Sequence, residues 1–186
     1  MSDSIFFRRQ SKRALLDRAI PEDMLARIYE KVRWSPSCNN NQPWRFVFVF
    51  DQKQRTRFME CLPIGNRWAA AAPALIAVCA RAADDYTRSD DPVGYYQFDS
   101  GLAVMSLLLA ATEEGLLTHP MAGYDATQLH AVLDIPAEYH IMCVIALGYP
   151  GSIDQLDERD RRKDEAPRTR KGLGEIICKD RFGFTS

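Results

Sequence analysis

Two groups of basic residues, one near each end of the chain, are the side chains best suited to binding an anion. Residues 7–13 read FRRQSKR and residues 168–171 read RTRK. Arginine donates paired, charge-assisted hydrogen bonds to phosphate oxygens, so both groups could hold one phosphate together. Runs of charge are also common as solvated surface. The phosphate interpretation requires the two ends of the chain to meet in the fold, whereas the surface interpretation does not.

An amide-rich segment forms a third polar group. Residues 35–46 read SPSCNNNQPWRF, with three asparagines and a glutamine between two prolines. Asn and Gln side chains carry both donors and acceptors, which suits the rim of a flat, polar ring. An ordinary surface turn could have the same composition. Both interpretations stay open on this segment alone.

The composition is that of a single globular domain. The chain has 186 residues, of which 46% are hydrophobic and 26% are charged. Its net charge of −1 gives no support to a nucleic-acid or membrane role, and no apolar run reaches about 18 residues. The five cysteines lack C-x-x-C spacing, and the first residues lack a secretory apolar region. We therefore expect a cytoplasmic location.

Motifs for several other chemistries are missing from the sequence. There is no G-x-G-x-x-G dinucleotide fingerprint and no G-x-x-x-x-G-K-[ST] phosphate loop. His119, His130 and His140 stand apart without metal-ligand spacing, so we predict no metal site. Asp99 is expected to be a structural hydrogen-bonding residue rather than a catalytic acid. We name no catalytic acid, base or nucleophile.

Hydrophobic periodicity predicts strands that alternate with helices. The predicted helices are at residues 21–34, 51–61, 66–72, 95–116 and 125–132. The predicted strands are at residues 46–50, 74–80 and 141–147. The first strand is β-branched and aromatic throughout and is expected to be buried on both faces. This order of elements indicates a layered sheet with helices on both sides.

The chain is expected to form one domain in two parts. Residues 1–153 would be the core, and residues 154–186 would be a charged linker followed by a C-terminal arm of the same domain. The linker is dense in charge over residues 154–171, and residues 173–184 regain apolar side chains. Such an arm is suited to packing on a second subunit. Residues 81–94 are polar and are predicted to be a surface loop.

Taken in order, these pieces resemble the nitroreductase family of FMN-dependent oxidoreductases. The resemblance covers roughly residues 7–177 and rests on R-R-Q-S-K-R, the amide-rich segment, N-R-W, D-S-G-L-A, P-M-A-G-Y-D, L-G-Y-P and R-T-R-K-G-L-G-E-I-I. It implies an α+β fold in three layers, with a central mixed sheet flanked by helices. It also implies an intertwined homodimer with an exchanged C-terminal arm and FMN at the subunit interface.

The resemblance implies which residues bind the phosphate end of FMN. The N-terminal basic motif would hold the phosphate, the ribityl chain and the pyrimidine edge through Arg9, Gln10, Ser11 and Arg13. A cation such as Arg13 near N1 and O2 would stabilise reduced flavin. The phosphate would also be bound by the C-terminal pair, Arg168 and Arg170.

The resemblance also implies contacts to the flavin ring. The amide-rich segment would reach the ring from the other subunit through Pro36, Ser37, Cys38 and Asn40. Asn66 would lie at the pyrimidine edge. The N5 side of the ring would be contacted by Pro120, Met121, Ala122 and Gly123.

The implied reaction passes hydride from NADH or NADPH through FMN to a nitroaromatic, quinone or activated-alkene acceptor in a ping-pong cycle. The implied partners are a second copy of the chain and a small-molecule electron acceptor, with no nucleic acid and no membrane. Two alternatives stay open. One is a flavin-fragmenting or dehalogenating enzyme on the same fold, and the other is a non-catalytic FMN-binding protein.

Overall fold

An antiparallel sheet with an apolar centre organises the fold. The computed structural model of the chain describes residues 3–90 and 93–184. In chain order the strands are β1 Leu15–Leu16, β2 Arg45–Val49, β3 Ala74–Ala80, β4 Leu117–Met121 and β5 His140–Pro150. β3 lies between β2 and β5. β5 also pairs with β4 and, at its last two residues, with β1.

Six α-helices surround this sheet in the described part of the chain. They are α1 Ile5–Arg8, α2 Glu22–Arg33, α3 Gln52–Glu60, α4 Tyr95–Glu113, α5 Ala126–Val132 and α6 Glu158–Glu165. The segment predicted as a short helix at 66–72 is a 3-10 helix at Ile64–Ala71. Asp51 and Asp125 cap α3 and α5, because each carboxylate accepts a backbone N–H from the first turn. Within residues 3–90 and 93–184, no helix combines the length and apolar character that crossing a bilayer requires.

Helices cover both faces of the sheet, as the sequence predicts. Leu75, Ala77 and Cys79 of β3 pack in one buried cluster, together with residues of α3 and α5. Ile76 and Val78 alternate with them and pack in a second cluster with residues of α2 and α4. The α+β fold in three layers is therefore confirmed.

Two expectations about the sheet are wrong. The sheet is not mixed, because all pairings between the five strands of the described residues are antiparallel. Alternation of strands and helices predicts the layers but does not fix strand direction. β2 is also not buried on both faces, since it pairs only with β3 within the described residues and Phe46, Val47 and Phe48 are half-buried.

Sequence periodicity misses β4 and α6. β4 reads LTHPM, and its proline is tolerated because, among the described residues, β4 is an edge strand that pairs only with β5. The segment expected to be a charged linker contains α6, in which Asp160 and Asp164 are buried. A helix of eight residues with no apolar side chain gives no hydrophobic period to detect.

Some predictions extend beyond the described residues. Residues 91 and 92 of the predicted surface loop lie outside them, as do residues 1, 2, 185 and 186 of the predicted domain ranges. The rest of the loop contains a short 3-10 helix at Ala82–Asp84 and a bridge between Thr87 and Gly94.

Candidate functional site

The two basic groups meet in the fold. They line opposite sides of one cleft of about 220 Å³. The lining residues from the N-terminal segment are Arg9, Gln10, Ser11 and Lys12, and those from the C-terminal segment are Lys163, Ala166, Arg168 and Arg170. Residues about 160 positions apart in sequence are thus neighbours, as the phosphate interpretation requires.

Backbone pairing anchors the N-terminal side of this cleft. Directly after the basic motif, Leu15 and Leu16 pair with Pro150 and Tyr149 of β5. The N–H of Gly151 donates to the carbonyl of Ala14 at 2.9 Å. A Cβ at Gly151 would lie 2.6 Å from the carbonyl oxygen of Leu15, so only glycine allows the two backbones to approach this closely.

The guanidinium groups in the cleft donate hydrogen bonds to uncharged protein atoms. Arg9 Nη1 donates to Ser11 Oγ at 3.1 Å, and Arg168 Nη1 donates to the carbonyl of Phe7 at 2.6 Å. Arg170 donates to a neighbouring backbone carbonyl. Among residues 3–90 and 93–184, no carboxylate forms an ion pair with these three arginines.

The electrostatics of the cleft favour an anionic ligand. Burial lowers the pKa of Arg9, and the charges of Arg168 and Arg170 lower it further. Three cations therefore converge, and no carboxylate within residues 3–90 and 93–184 pairs with them to offset their repulsion. A phosphate dianion would supply that counter-charge and accept several of their N–H groups.

Arg13 has partners that the sequence does not reveal. Its Nη1 donates to Asp164 Oδ1 at 2.9 Å, and its Nε lies 3.6 Å from Asp160 Oδ1. Its guanidinium carbon also lies 5.9 Å from the centre of the Trp68 ring. The expected contact between Arg13 and the flavin pyrimidine stays a prediction. The guanidinium of Arg13 is already paired with Asp164, whereas Asp160 is shared with Arg159 and Lys163.

Asn66 and the end of β4 form a second part of the site. Asn66 Nδ2 donates to the carbonyl of Gly123 at 3.1 Å, which joins the predicted pyrimidine-edge residue to the predicted N5-side segment Pro120–Gly123. A Cβ at Gly123 would lie 3.3 Å from Pro63 Cγ, so a side chain there would crowd this junction. Ala122 and Gly123 are exposed, and their backbone is open to a ligand.

His119 connects the two parts of the site. It lies in β4 directly before Pro120, and its Nδ1 is 3.2 Å from the carbonyl oxygen of Lys12 in the basic cleft. The rings of His119 and Trp68 are 4.5 Å apart. A carbonyl oxygen can only accept, so Nδ1 is the donor in this contact, and burial lowers the pKa of His119. The histidine therefore holds the N-terminal motif against β4.

A second, larger cleft of about 580 Å³ is lined in part by Trp68. It is also lined by Arg13 and Arg67, and by residues at the start of α6. From the sequence alone, a core position and a wall position are equally expected for Trp68. In the structure it is half-buried: it packs against the core cluster that contains Leu75 and also lines this cleft.

Backbone conformation explains much of the amide chemistry in the segment 35–46. Asn39, Asn40 and Gln42 all have positive φ angles, of 50°, 57° and 51°. Asparagine is the most tolerant of the common residues in this region after glycine. The turn is further closed by Ser37 Oγ, which accepts the N–H of Gln42 at 2.9 Å.

The amide-rich turn is not brought to the basic cleft within one chain. The N–H of Cys38 donates to Asp99 Oδ2 at 2.7 Å, which fixes the turn to the first part of α4. Asp99 is 2% exposed and is a structural hydrogen-bond acceptor, as expected. Among the described residues, no hydrogen bond joins Pro36, Ser37, Cys38 or Asn40 to Arg9 or its neighbours.

Comparison with known proteins decides the family. A model described as the Nitroreductase family matches residues 7–62 and 61–149 of the chain. The chain belongs to the nitroreductase family. The three-layer fold and the convergence of basic residues from both ends of the chain are therefore features of a nitroreductase-family protein.

Relatives and solved structures extend the comparison along the chain. A protein of Archaeoglobus fulgidus named "Putative NADH dehydrogenase/NAD(P)H nitroreductase" is 28% identical over 85% of this chain and 90% of its own length. A crystal structure described as an oxidoreductase containing FMN has a TM-score of 0.88 and 29% identity, covering 100% of this chain and 94% of that chain. A nitroreductase family protein of Clostridium difficile 630 has a TM-score of 0.79 at 21% identity, covering 96% and 97%, and shows the fold.

Sequence reasoning missed the acidic residues and the histidine that support the site. Asp160 and Asp164 are four positions apart, so they lie on one face of α6. Two acids spaced by one helical turn within a charged segment are the sequence signal from which their shared buried position could be predicted. His119 precedes the predicted N5-side segment, but its contact with Lys12 depends on tertiary structure and has no sequence signature.

Removing the charge of Asp99 tests the electrostatic environment of the residue that anchors the amide-rich turn. Burial raises the pKa of Asp99, and the nearby Asp85 carboxylate raises it further, although the Cys38 N–H opposes both effects. An acid whose pKa is higher in the folded state makes folding less favourable as pH rises through that pKa. Asp99→Asn should therefore gain stability relative to the wild type as pH increases. Urea unfolding at several pH values between 4 and 8 measures the difference in unfolding free energy between the two proteins. A difference that does not change with pH would contradict the raised pKa of Asp99.

Proposed function

We propose that the chain is an FMN-dependent oxidoreductase that passes hydride from NADH or NADPH to a small-molecule acceptor. The observation that carries the proposal is the cleft in which Arg9, Arg168 and Arg170 converge without an anionic partner among the described residues. The phosphate of FMN is negatively charged, and its oxygens can accept hydrogen bonds from all three guanidinium groups of this cleft. The FMN named for the similar crystal structure supports the same ligand.

The other parts of the site suit the remainder of FMN. Gln10 and Ser11 line the cleft beside the arginines and would bind the phosphate or ribityl hydroxyl groups. Asn66 would pair with the pyrimidine rim through its remaining amide atoms. The exposed backbone at Ala122 and Gly123 would approach the N5 side of the ring.

Bound FMN would supply the hydride-accepting and hydride-donating atom of the reaction. The residues of this chain would position the cofactor and balance its charge, and none is proposed as a general acid or base. We propose a ping-pong cycle with nitroaromatic, quinone or activated-alkene acceptors. The names of the relatives support NADH or NADPH as the reductant. A cytoplasmic location remains a prediction from the sequence.

A homodimer would complete the site. The C-terminal segment exposes apolar side chains, among them Ile176, Ile177 and, at 84% exposure, Phe182. The same chain has a groove of about 460 Å³ between α2 and β2, lined mostly by aromatic residues, beside a strand edge that is unpaired among the described residues. We propose that residues 154–186 form the arm of the domain whose core is 1–153, and that the arm's apolar tip occupies this groove on a second copy.

Dimer formation would also give the amide-rich turn a role. Within the described part of one chain, no hydrogen bond joins the basic cleft to Pro36, Ser37, Cys38 or Asn40. We propose that they contact the FMN bound by the partner subunit. The turn is anchored to α4 through Asp99, so it would be presented in a fixed conformation.

Removing two arginines tests the phosphate site. Each lost charge-assisted contact is worth about 1.5–3 kcal/mol, so Arg168→Ala/Arg170→Ala should bind FMN at least about a hundredfold more weakly. Lys171→Ala is the matched control, because Lys171 is exposed and lies outside the cleft. Flavin fluorescence titration gives both affinities. Equal FMN affinity in the double variant and the control would exclude the phosphate site.

The visible spectrum of purified protein tests the reaction. A flavin spectrum that NADH or NADPH bleaches anaerobically, and that an added quinone restores, is the expected result. A spectrum that bleaches in air without recovery would indicate the flavin-fragmenting alternative. A flavin that neither nicotinamide reduces would indicate a non-catalytic FMN-binding protein.

Charged substitutions in the arm test the exchanged dimer. Ile176→Asp/Ile177→Asp would carry two carboxylates into the apolar groove, so the variant should sediment as a monomer at concentrations where the wild type is a dimer. Lys179→Ala, in the same segment, should leave the assembly unchanged. An unaltered dimer in the double variant would contradict the proposed position of the arm.

A further inference from the structure

The helix α6 is held to the core in an unusual way. Its sequence is ERDRRKDE, and the two side chains that it buries are acidic, Asp160 and Asp164. It therefore gains no stabilisation from apolar burial of its own side chains. Its position depends on polar contacts, chiefly those of the buried carboxylates, and Arg159 adds a hydrogen bond to the carbonyl of Gly65 at 3.4 Å.

Asp164 makes the larger share of these contacts. Its Oδ2 accepts the backbone N–H of Arg13 at 2.7 Å and of Ala14 at 3.1 Å, and its Oδ1 accepts Arg13 Nη1 at 2.9 Å. Its own backbone carbonyl accepts Lys12 Nζ. The residue is 2% exposed. One side chain thus satisfies two N–H groups and one guanidinium group of the N-terminal motif.

These contacts determine where the C-terminal arginines lie. Arg168 and Arg170 follow Asp164 by four and six residues, in backbone without regular structure after α6 ends. The same N-terminal motif that Asp164 binds contains Arg9. Fixing Asp164 to Arg13 and Ala14 therefore brings the two halves of the basic cleft together.

We propose that Asp164 is a positioning residue for the phosphate-binding arginines, an inference that rests on the proposed function. It does not touch the phosphate and acts through the segments that carry Arg9, Arg168 and Arg170. If Asp164 positions these arginines, removing its charge should change FMN affinity in the direction opposite to the one that electrostatics alone predicts. Removing a negative charge near three cations would by Coulomb's law strengthen anion binding, whereas loss of positioning weakens it.

The test compares FMN with riboflavin, which lacks only the phosphate. The full-length chain is stripped of flavin and titrated with each compound, for the wild type and for Asp164→Asn. The ratio of the two affinities isolates the phosphate contribution, and general destabilisation of the fold does not favour one flavin over the other. We expect the FMN preference of Asp164→Asn to fall at least tenfold, with riboflavin affinity changed less than threefold.

A matched control removes the same charge elsewhere on α6. Glu158 lies on the exposed side of the helix, where it pairs with exposed Arg162, and among residues 3–90 and 93–184 it has no hydrogen bond or ion pair with the N-terminal motif, so Glu158→Gln is the control. Its FMN preference should stay the same or increase slightly. An equal loss of FMN preference in Glu158→Gln would overturn the positioning role, because removing any negative charge from α6 would then have the same effect.

The outcomes separate this inference from the proposed function. A wild type that binds FMN and riboflavin equally would refute the phosphate site itself. A wild type that prefers FMN, with the same or a stronger preference in Asp164→Asn, would overturn the role of Asp164 alone. If Asp164→Asn does not fold, Asp164→Glu keeps the charge and displaces the carboxylate. A reduced FMN preference in that variant supports the role, and an unchanged preference overturns it.

Discussion

A buried carboxylate, that of Asp164, constrains the candidate site as a whole. A carboxylate removed from water is tolerated only when it is paired and hydrogen-bonded. The N–H groups of Arg13 and Ala14 and the guanidinium of Arg13 meet that requirement. Because these partners belong to the N-terminal segment and Asp164 belongs to α6, meeting the requirement joins the two ends of the chain. The convergence of cations in the basic cleft follows from this junction.

One long strand keeps the parts of the site in register. β5 pairs with β1, which follows the basic motif, through Tyr149 and Pro150. It pairs with β4, which ends at the exposed backbone near Gly123, through residues 144–148. The separation between the phosphate cleft and the ring-binding segment is therefore set by one strand, β5, whose residues 144–148 are buried. His119 adds a direct link between the two parts through the carbonyl of Lys12.

The sequence predicts the apolar strands and the phosphate-binding arginines better than it predicts the residues that hold those arginines in place. β3 is found at the predicted residues 74–80, since every side chain there is buried. The basic motifs were recognisable because phosphate binding needs arginine, and the structure brings them together. By contrast, α6 has no apolar period, and the partners of Arg13 depend on where that helix packs. The amide-rich turn was conspicuous, yet its positive φ angles account for part of its composition, which sequence alone did not reveal.

The central claim is that arginines from both ends of the chain bind one phosphate of FMN. A crystal structure of the full-length protein with FMN tests it most directly. The account predicts that phosphate oxygens accept hydrogen bonds from Arg9, Arg168 and Arg170 of one subunit, with Asp164 still bound to Arg13 beneath them. A phosphate that lies in solvent, or that is bound away from these three guanidinium groups, would contradict the account.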